Sequence, residues 1–203
     1  MSDRASPPIP RWLPNAISAF RIVLVPIWLV VAERMRDAAL AGQPQAGTWL
    51  VVILVALGVS DVVDGWLARR FDLTSPFGAT LDAVADKLAQ VAFVTYFAWR
   101  GSPAFLPVPV WFWTVILGRD VALAIGYVVL RRRHGVVDTE HAVHGKIASV
   151  LLFLVVLGVS AGAPPLAVNV AMWLTTAVVV FSTVGYVRAG FEALGTPRRR
   201  DDG

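Results

Sequence analysis

The chain has 203 residues, 57% of them hydrophobic and only 16% charged, with mean hydropathy +0.66. Such an apolar excess excludes an ordinary soluble domain and points to a one-domain polytopic membrane protein. Cysteine is absent, which excludes a disulfide framework and thiolate chemistry. The net charge of +4 comes from basic residues beside apolar segments, where they set topology and attract anionic lipid rather than mark a nucleic-acid surface.

Residues 1–10 (MSDRASPPIP) are too polar and Pro-rich to order by themselves, and 11–16 (RWLPNA) read as an interfacial segment with Trp12 at headgroup level. No small-residue cleavage site follows the first apolar run, so no cleavable signal is expected. Apolar runs then predict six membrane helices: Ile17–Ala32, Thr48–Leu67, Gly78–Trp99, Pro107–Leu130, Ile147–Ser160 and Leu166–Val187. The first contains Arg21 and Pro26; Arg21, near its start, either snorkels to the surface or belongs to a site. Between the spans, 33–47 reads as a polar loop, 100–106 as a short turn, 131–146 as a basic loop and 161–165 as a tight turn. The expectation is an all-α integral membrane protein divided into a tail and interfacial segment (1–16), a six-helix membrane domain (17–190) and a basic C-terminal tail (191–203).

Basic residues orient it. With a cytoplasmic N-terminus, twelve of the 18 lie on the cytoplasmic side: Arg4, Arg11, Arg69, Arg70, Arg131, Arg132, Arg133, Lys146, Arg188 and Arg198 to Arg200. Arg34, Arg36 and Arg100 face the other side, and Arg21, Lys87 and Arg119 lie within spans. Both termini and the loop joining spans two and three are therefore expected in the cytosol, in a bacterial inner membrane.

The stretch from Asp61 to Asp86 carries the chemistry. Asp61, Asp64, Gly65 and Ala68 share one helical face, and Gly78, Asp82 and Asp86 share another. A short connection through Pro76 makes the two helices antiparallel neighbours whose acidic faces can meet. Ionisable groups inside membrane helices are expensive and mark function. Four carboxylates in apolar surroundings need compensation, and hard oxygen donors without Cys or His suit Mg²⁺, Mn²⁺ or Ca²⁺. Two such ions would make a two-metal phosphoryl-transfer site, with Arg69 offering a planar fork to phosphate and the glycines leaving room for a ligand. The structural alternative is one buried Asp–Arg pair with the other Asp residues at helix ends; it leaves the two aligned acidic faces unexplained.

Asp61, Asp64, Gly65, Ala68, Arg69, Gly78, Asp82 and Asp86 match the D-x-x-D-G-x-x-A-R, eight residues, G-x-x-x-D-x-x-x-D signature that this stretch resembles, that of the CDP-alcohol phosphotransferases. The opening PNAISAFRIVLVP, with LGRDVAL and HGKIAS, resembles the branch of phosphatidylglycerophosphate and cardiolipin synthases. The resemblance implies a membrane enzyme that uses two Mg²⁺ (or Mn²⁺) ions to move a phosphatidyl group from CDP-diacylglycerol to an alcohol, releasing CMP. It implies Asp61, Asp64 and Asp82 as metal ligands and Asp86 as a shared ligand or the general base. It also implies Gly65, Ala68, Arg69 and Gly78 around the nucleotide, and a homodimer.

For the acceptor, Arg119, Lys146 and the Arg131, Arg132, Arg133 run offer cations apart from the metals, and glycerol 3-phosphate is the favoured acceptor, with phosphatidylglycerol (giving cardiolipin) the alternative. The branch usually carries further polar residues after Gly145–Lys146, where this chain continues IASVLLF. His134, His141 and His144 lack metal-ligand spacing and read as loop residues. An ion- or proton-coupled transporter also uses intramembrane carboxylates, but it does not require glycines and an arginine at fixed offsets from them, and there is no internal repeat. A scaffold holding a structural ion is the third class.

Overall fold

A computed structural model of the chain describes residues 10, 12–43, 47–71, 73, 75–134 and 142–195. They form six helices and no strand: α1 (Leu13–Leu40), α2 (Thr48–Arg70), α3 (Pro76–Trp99), α4 (Val110–His134), α5 (Ala142–Ser160) and α6 (Pro165–Gly195). By length and composition, four stretches can cross a membrane: Asn15–Leu40, Thr48–Arg70, Val110–Val129 and Pro165–Arg188. In α5 the apolar part, Ile147–Ser160, is shorter, and α3 carries Asp82, Asp86 and Lys87 along its length. The described residues are all-α, with four helices long and apolar enough for a membrane protein.

The polar loop expected over 33–47 is largely helix instead. Residues 33–40 (ERMRDAAL) are good helix formers, and Glu33 pairs with Arg36 at i,i+3, so α1 continues to Leu40 before Gly42 turns the chain at φ +71°. At the start of α3 the residue types act as punctuation. Ser75 is extended and its Oγ accepts a hydrogen bond from Gly78 N at 3.0 Å, while Pro76 occupies the first turn, where its missing N–H costs nothing.

The helices fall into two compact units. One holds α1, α2 and α3 with Val159–Gly162; the other holds α4, α6 and the rest of α5. In the first unit α1 packs against both α2 and α3, which do not pack on each other. This corrects the expectation that α2 and α3 are direct neighbours: α1 is the wedge between them. Trp28, fully buried, fixes α1 on α3 through Phe93, Tyr96 and Phe97, with ring centroids 4.4, 5.7 and 5.4 Å away. Leu50, Leu54 and Leu57 form the buried stripe of α2. At the far end of the unit Glu33 accepts from Arg100, and Arg36 Nε donates to the Ser102 carbonyl at 3.2 Å. In the second unit Trp111 stacks on Trp173 at 4.7 Å, above a core that includes Phe112, Ile116, Met172, Thr175 and Val179.

Outward faces are apolar: Val52, Val55, Val59 and Val62 on α2 are all exposed, as are Leu174 and Phe181 on α6. The buried positions, by contrast, include Arg21 and Asp64. Apolar outside and charged inside is the polarity of a protein solvated by lipid. Since lipid is as apolar as the core, close packing rather than transfer from water holds such helices together. Trp28→Ala is therefore expected to cost mainly packing, about 3 kcal/mol, at the low end for a buried aromatic. Thermal melting of the purified protein in detergent measures it; a melting temperature equal to wild type would remove Trp28 from this role.

Candidate active site

Three polar residues line one face of the start of α1: Asn15, Ser18 and Arg21, spaced i, i+3, i+6. Each reaches a residue of the Asp61–Asp86 stretch. Ser18, buried, donates from Oγ to Asp64 Oδ2 at 3.1 Å. Arg21 is buried, its side chain 3% exposed, and lies among all four carboxylates. Its Nη1 donates to Asp61 Oδ1 and to Asp86 Oδ1, both at 2.7 Å. Its Nη2 donates to Asp64 Oδ2 at 2.7 Å and to Asp82 Oδ1, and lies 3.4 Å from Ser18 Oγ. Snorkelling is therefore not what Arg21 does. It is the central residue of the cluster, and its sequence signals are an arginine inside an apolar span and its place in the PNAISAFRIVLVP opening.

The two acidic faces meet as their spacing implies, but through α1. Asp64 is buried beside Ser18, while the side chains of Asp61, Asp82 and Asp86 are 48%, 42% and 56% exposed, so the cluster has a closed floor and an open side. One ligand atom each from Asp61, Asp64 and Asp82 lie within 4.8 Å of one another. Asp86 stands outside this trio and joins it through the Nη1 atom it shares with Asp61.

The donor set fits a hard divalent cation. All the candidate ligands are carboxylate oxygens, close enough for one ion to touch three of them, and no sulfur or imidazole competes within the group. Charge gives the same answer: one guanidinium against four carboxylates leaves a strongly negative cluster beside apolar helices, a state that favours binding cations.

The signature's small residues and its arginine have local reasons. The guanidinium of Arg69 folds back one turn over Gly65, where a Cβ would stand 3.4 Å from its Nη1. Gly78 lies under Asn15: a Cβ there would come within 2.4 Å of Asn15 Oδ1 and 3.0 Å of Ser75 Oγ. Asn15 thus sits on the capped first turn of α3, four residues ahead of Asp82, and ties the entry of α1 to the helix that carries two of the four carboxylates. Ala68 is half-buried on α2.

The residues expected at an acceptor are less completely described. Arg119 lies in α4, in the second unit, with its Nη1 3.5 Å from Asp120 Oδ1 and its Nε buried with no hydrogen-bond partner among the described residues. Arg132 is exposed near the end of α4. The backbones of Arg131, Arg133 and His134 are in α4 and those of His144 and Lys146 in α5, but their side chains lie outside the described residues, as does His141 altogether.

Gly78→Ala is expected to lower stability by about 1–3 kcal/mol, the cost of overpacking a tight contact. Adding Asn15→Ala should recover most of that loss, and a double-mutant cycle on melting temperatures measures the coupling. Additive losses would mean that the two residues do not meet.

Residues 11–184 match the family described as CDP-alcohol phosphatidyltransferase. Among relatives, the chain is 33% identical over 139 residues to a Streptomyces coelicolor protein named cardiolipin synthase (CMP-forming), covering 68% of this chain and 59% of that one. It is 33% identical over 128 residues to a rice (Oryza sativa subsp. japonica) protein of the same name, covering 58% of this chain and 36% of that one. Against the CDP-diacylglycerol–glycerol-3-phosphate 3-phosphatidyltransferase of Bacillus subtilis (strain 168) it is 28% identical over 205 residues, covering 91% of this chain and 97% of that one. The chain spans only about half the length of the first of the curated relatives it matches, whereas the Bacillus alignment runs nearly end to end. With the family match extending over most of its length and taking in every residue of the carboxylate cluster, the chain belongs to the CDP-alcohol phosphatidyltransferase family.

Proposed function

We propose that the chain transfers a phosphatidyl group from CDP-diacylglycerol to glycerol 3-phosphate, releasing CMP and forming phosphatidylglycerophosphate. The observation that carries this reading is the convergence of Asp61, Asp64 and Asp82 within 4.8 Å, with Asp86 beside them, on the eight-position signature. In this reading Asp61, Asp64 and Asp82 hold divalent cations, two Mg²⁺ or Mn²⁺, and Asp86 is a shared ligand or the base. Bound cations would neutralise the donor's diphosphate and the charge developing on departing CMP. The acceptor hydroxyl oxygen attacks the phosphorus attached to diacylglycerol; a P–O bond forms there, the P–O bond to CMP breaks, and the hydroxyl proton passes to Asp86 or to water. Arg69, with Gly65, Ala68 and Gly78, borders the nucleotide. Six spans, an interfacial segment at 11–16, cytoplasmic termini in a bacterial inner membrane and a homodimer complete the proposal.

Glycerol 3-phosphate is supported by the Bacillus relative, matched along nearly its whole length, and by the cations Arg119, Lys146 and Arg131–Arg133, which suit a phosphomonoester. Phosphatidylglycerol as acceptor is supported by the higher identity to relatives named cardiolipin synthase, 33% for both the Streptomyces and the rice protein against 28% for the Bacillus one.

Purified protein given CDP-diacylglycerol and glycerol 3-phosphate should release CMP only with Mg²⁺ or Mn²⁺ and stop on chelation. Asp61→Asn, Asp64→Asn and Asp82→Asn should each lower turnover by about 100-fold or more, the scale of losing one preorganised electrostatic group. Asp86→Asn should still bind CDP-diacylglycerol without turning it over. Near-normal turnover in one of the first three would remove that residue from the metal site.

The acceptor is read with labelled CDP-diacylglycerol and glycerol 3-phosphate, phosphatidylglycerol or inositol phosphate offered in turn. Label is expected in phosphatidylglycerophosphate, and label in cardiolipin alone would establish the second reading. Lys146→Ala should raise KM for glycerol 3-phosphate while leaving that for CDP-diacylglycerol nearly unchanged.

A further inference from the structure

We infer that Arg21 is a resident counter-cation of the carboxylate cluster: it holds the four aspartates together when no metal is bound, and an entering divalent cation displaces it. This rests on the reading of the cluster as a metal site given above.

Arg21 already occupies one oxygen of each of the four carboxylates. Asp61 Oδ1, Asp64 Oδ2 and Asp86 Oδ1 lie 2.7 Å from its Nη atoms, and Asp82 Oδ1 also accepts from Nη2. A divalent cation bonded to these same oxygens needs contacts of roughly 2.0–2.6 Å, which would put it in the space of the guanidinium and at like-charge distance from it. The two are therefore competitors rather than partners.

Two details distinguish Arg21 from a permanent support. Its Nε is buried with no hydrogen-bond partner among the described residues, so one of the five guanidinium donors is unsatisfied where it lies, although both Nη atoms are paired with carboxylates. Asp61, Asp82 and Asp86 leave an open side for exchange, while the Ser18 hydroxyl, held on Asp64, keeps that buried carboxylate oriented after the arginine has gone. A guanidinium released here remains on the first turns of α1 beside the site, free for an anionic oxygen.

The test is Mn²⁺ binding, followed by titration calorimetry on protein stripped of metal in detergent, without substrates. Arg21→Met, which keeps an apolar stem and removes the charge, should bind Mn²⁺ about tenfold tighter than wild type, within the ordinary range of coupling between competing ligands. Metal-free Arg21→Met should melt below metal-free wild type, and saturating Mn²⁺ should close most of the gap. Equal or weaker Mn²⁺ binding by the variant would overturn the inference and make Arg21 a fixed support for the ligands. No Mn²⁺ binding by wild type or variant would instead refute the metal reading itself. If Arg21→Met does not fold, Arg21→Lys, whose compact ammonium reaches fewer carboxylates, should still bind Mn²⁺ more tightly than wild type, and an unchanged or weaker affinity overturns the inference. In wild type, phenylglyoxal should modify Arg21 faster with Mn²⁺ than without, followed by peptide mass spectrometry; unchanged or slower modification counts against displacement.

Discussion

A single guanidinium among four carboxylates sets the terms for the first half of this protein. Arg21, Asp61, Asp64, Asp82 and Asp86 come from three helices, and the buried two, Arg21 and Asp64, could not be held among apolar residues without charged partners. Because α2 and α3 do not pack on each other, the arginine on α1 is what brings their acidic faces to one point. Removing any one charge alters the balance for the rest, so the cluster behaves as a unit rather than as four separate ion pairs.

The packing of α1 serves this arrangement. Residues at 15, 18 and 21 face the signature stretch, and Trp28, about two turns further on, is locked among Phe93, Tyr96 and Phe97. At the distal end Glu33 and Arg36 tie α1 to Arg100 and Ser102. A helix held at the far end and in the middle presents its near end to α2 and α3 in a fixed register. The functional side chains thus sit on rigid elements, which holds them to the positions a phosphoryl transfer needs. Pro26 falls within this helix without ending it, as proline can in a membrane helix where neighbours compensate the lost hydrogen bond.

The outward-facing valines and leucines leave the floor of the cluster, Arg21 and Asp64, on the inside. With the exposed positions of the long spans largely apolar, the polar contacts of Ser18, Arg21 and Asp64 lie inside and constrain helix register. Gly78 shows how tight that constraint is: the carboxamide of Asn15 occupies the place a side chain would need.

Much of this was legible in the amino-acid order. The apolar runs and the i, i+3 and i, i+4 spacing of Asp61, Asp64, Gly78, Asp82 and Asp86 depend on local periodicity, which the chain carries residue by residue, whereas the Ser75–Pro76 start of α3 reads in sequence as connection. The chemistry of the site was legible too, since oxygen donors without sulfur or imidazole select hard cations wherever they meet. The extent of α1 was missed because charged residues after Val31 resemble a loop by polarity, although helix propensity and the Glu33–Arg36 pair carry the helix on. Only tertiary structure decided that α1 stands between the acidic helices and that Arg21 points into the cluster. Spacing tells which face of a helix a residue occupies, but which neighbour that face meets depends on the packing of all three helices, where Trp28 and the α2 leucines fill the space that sets the register.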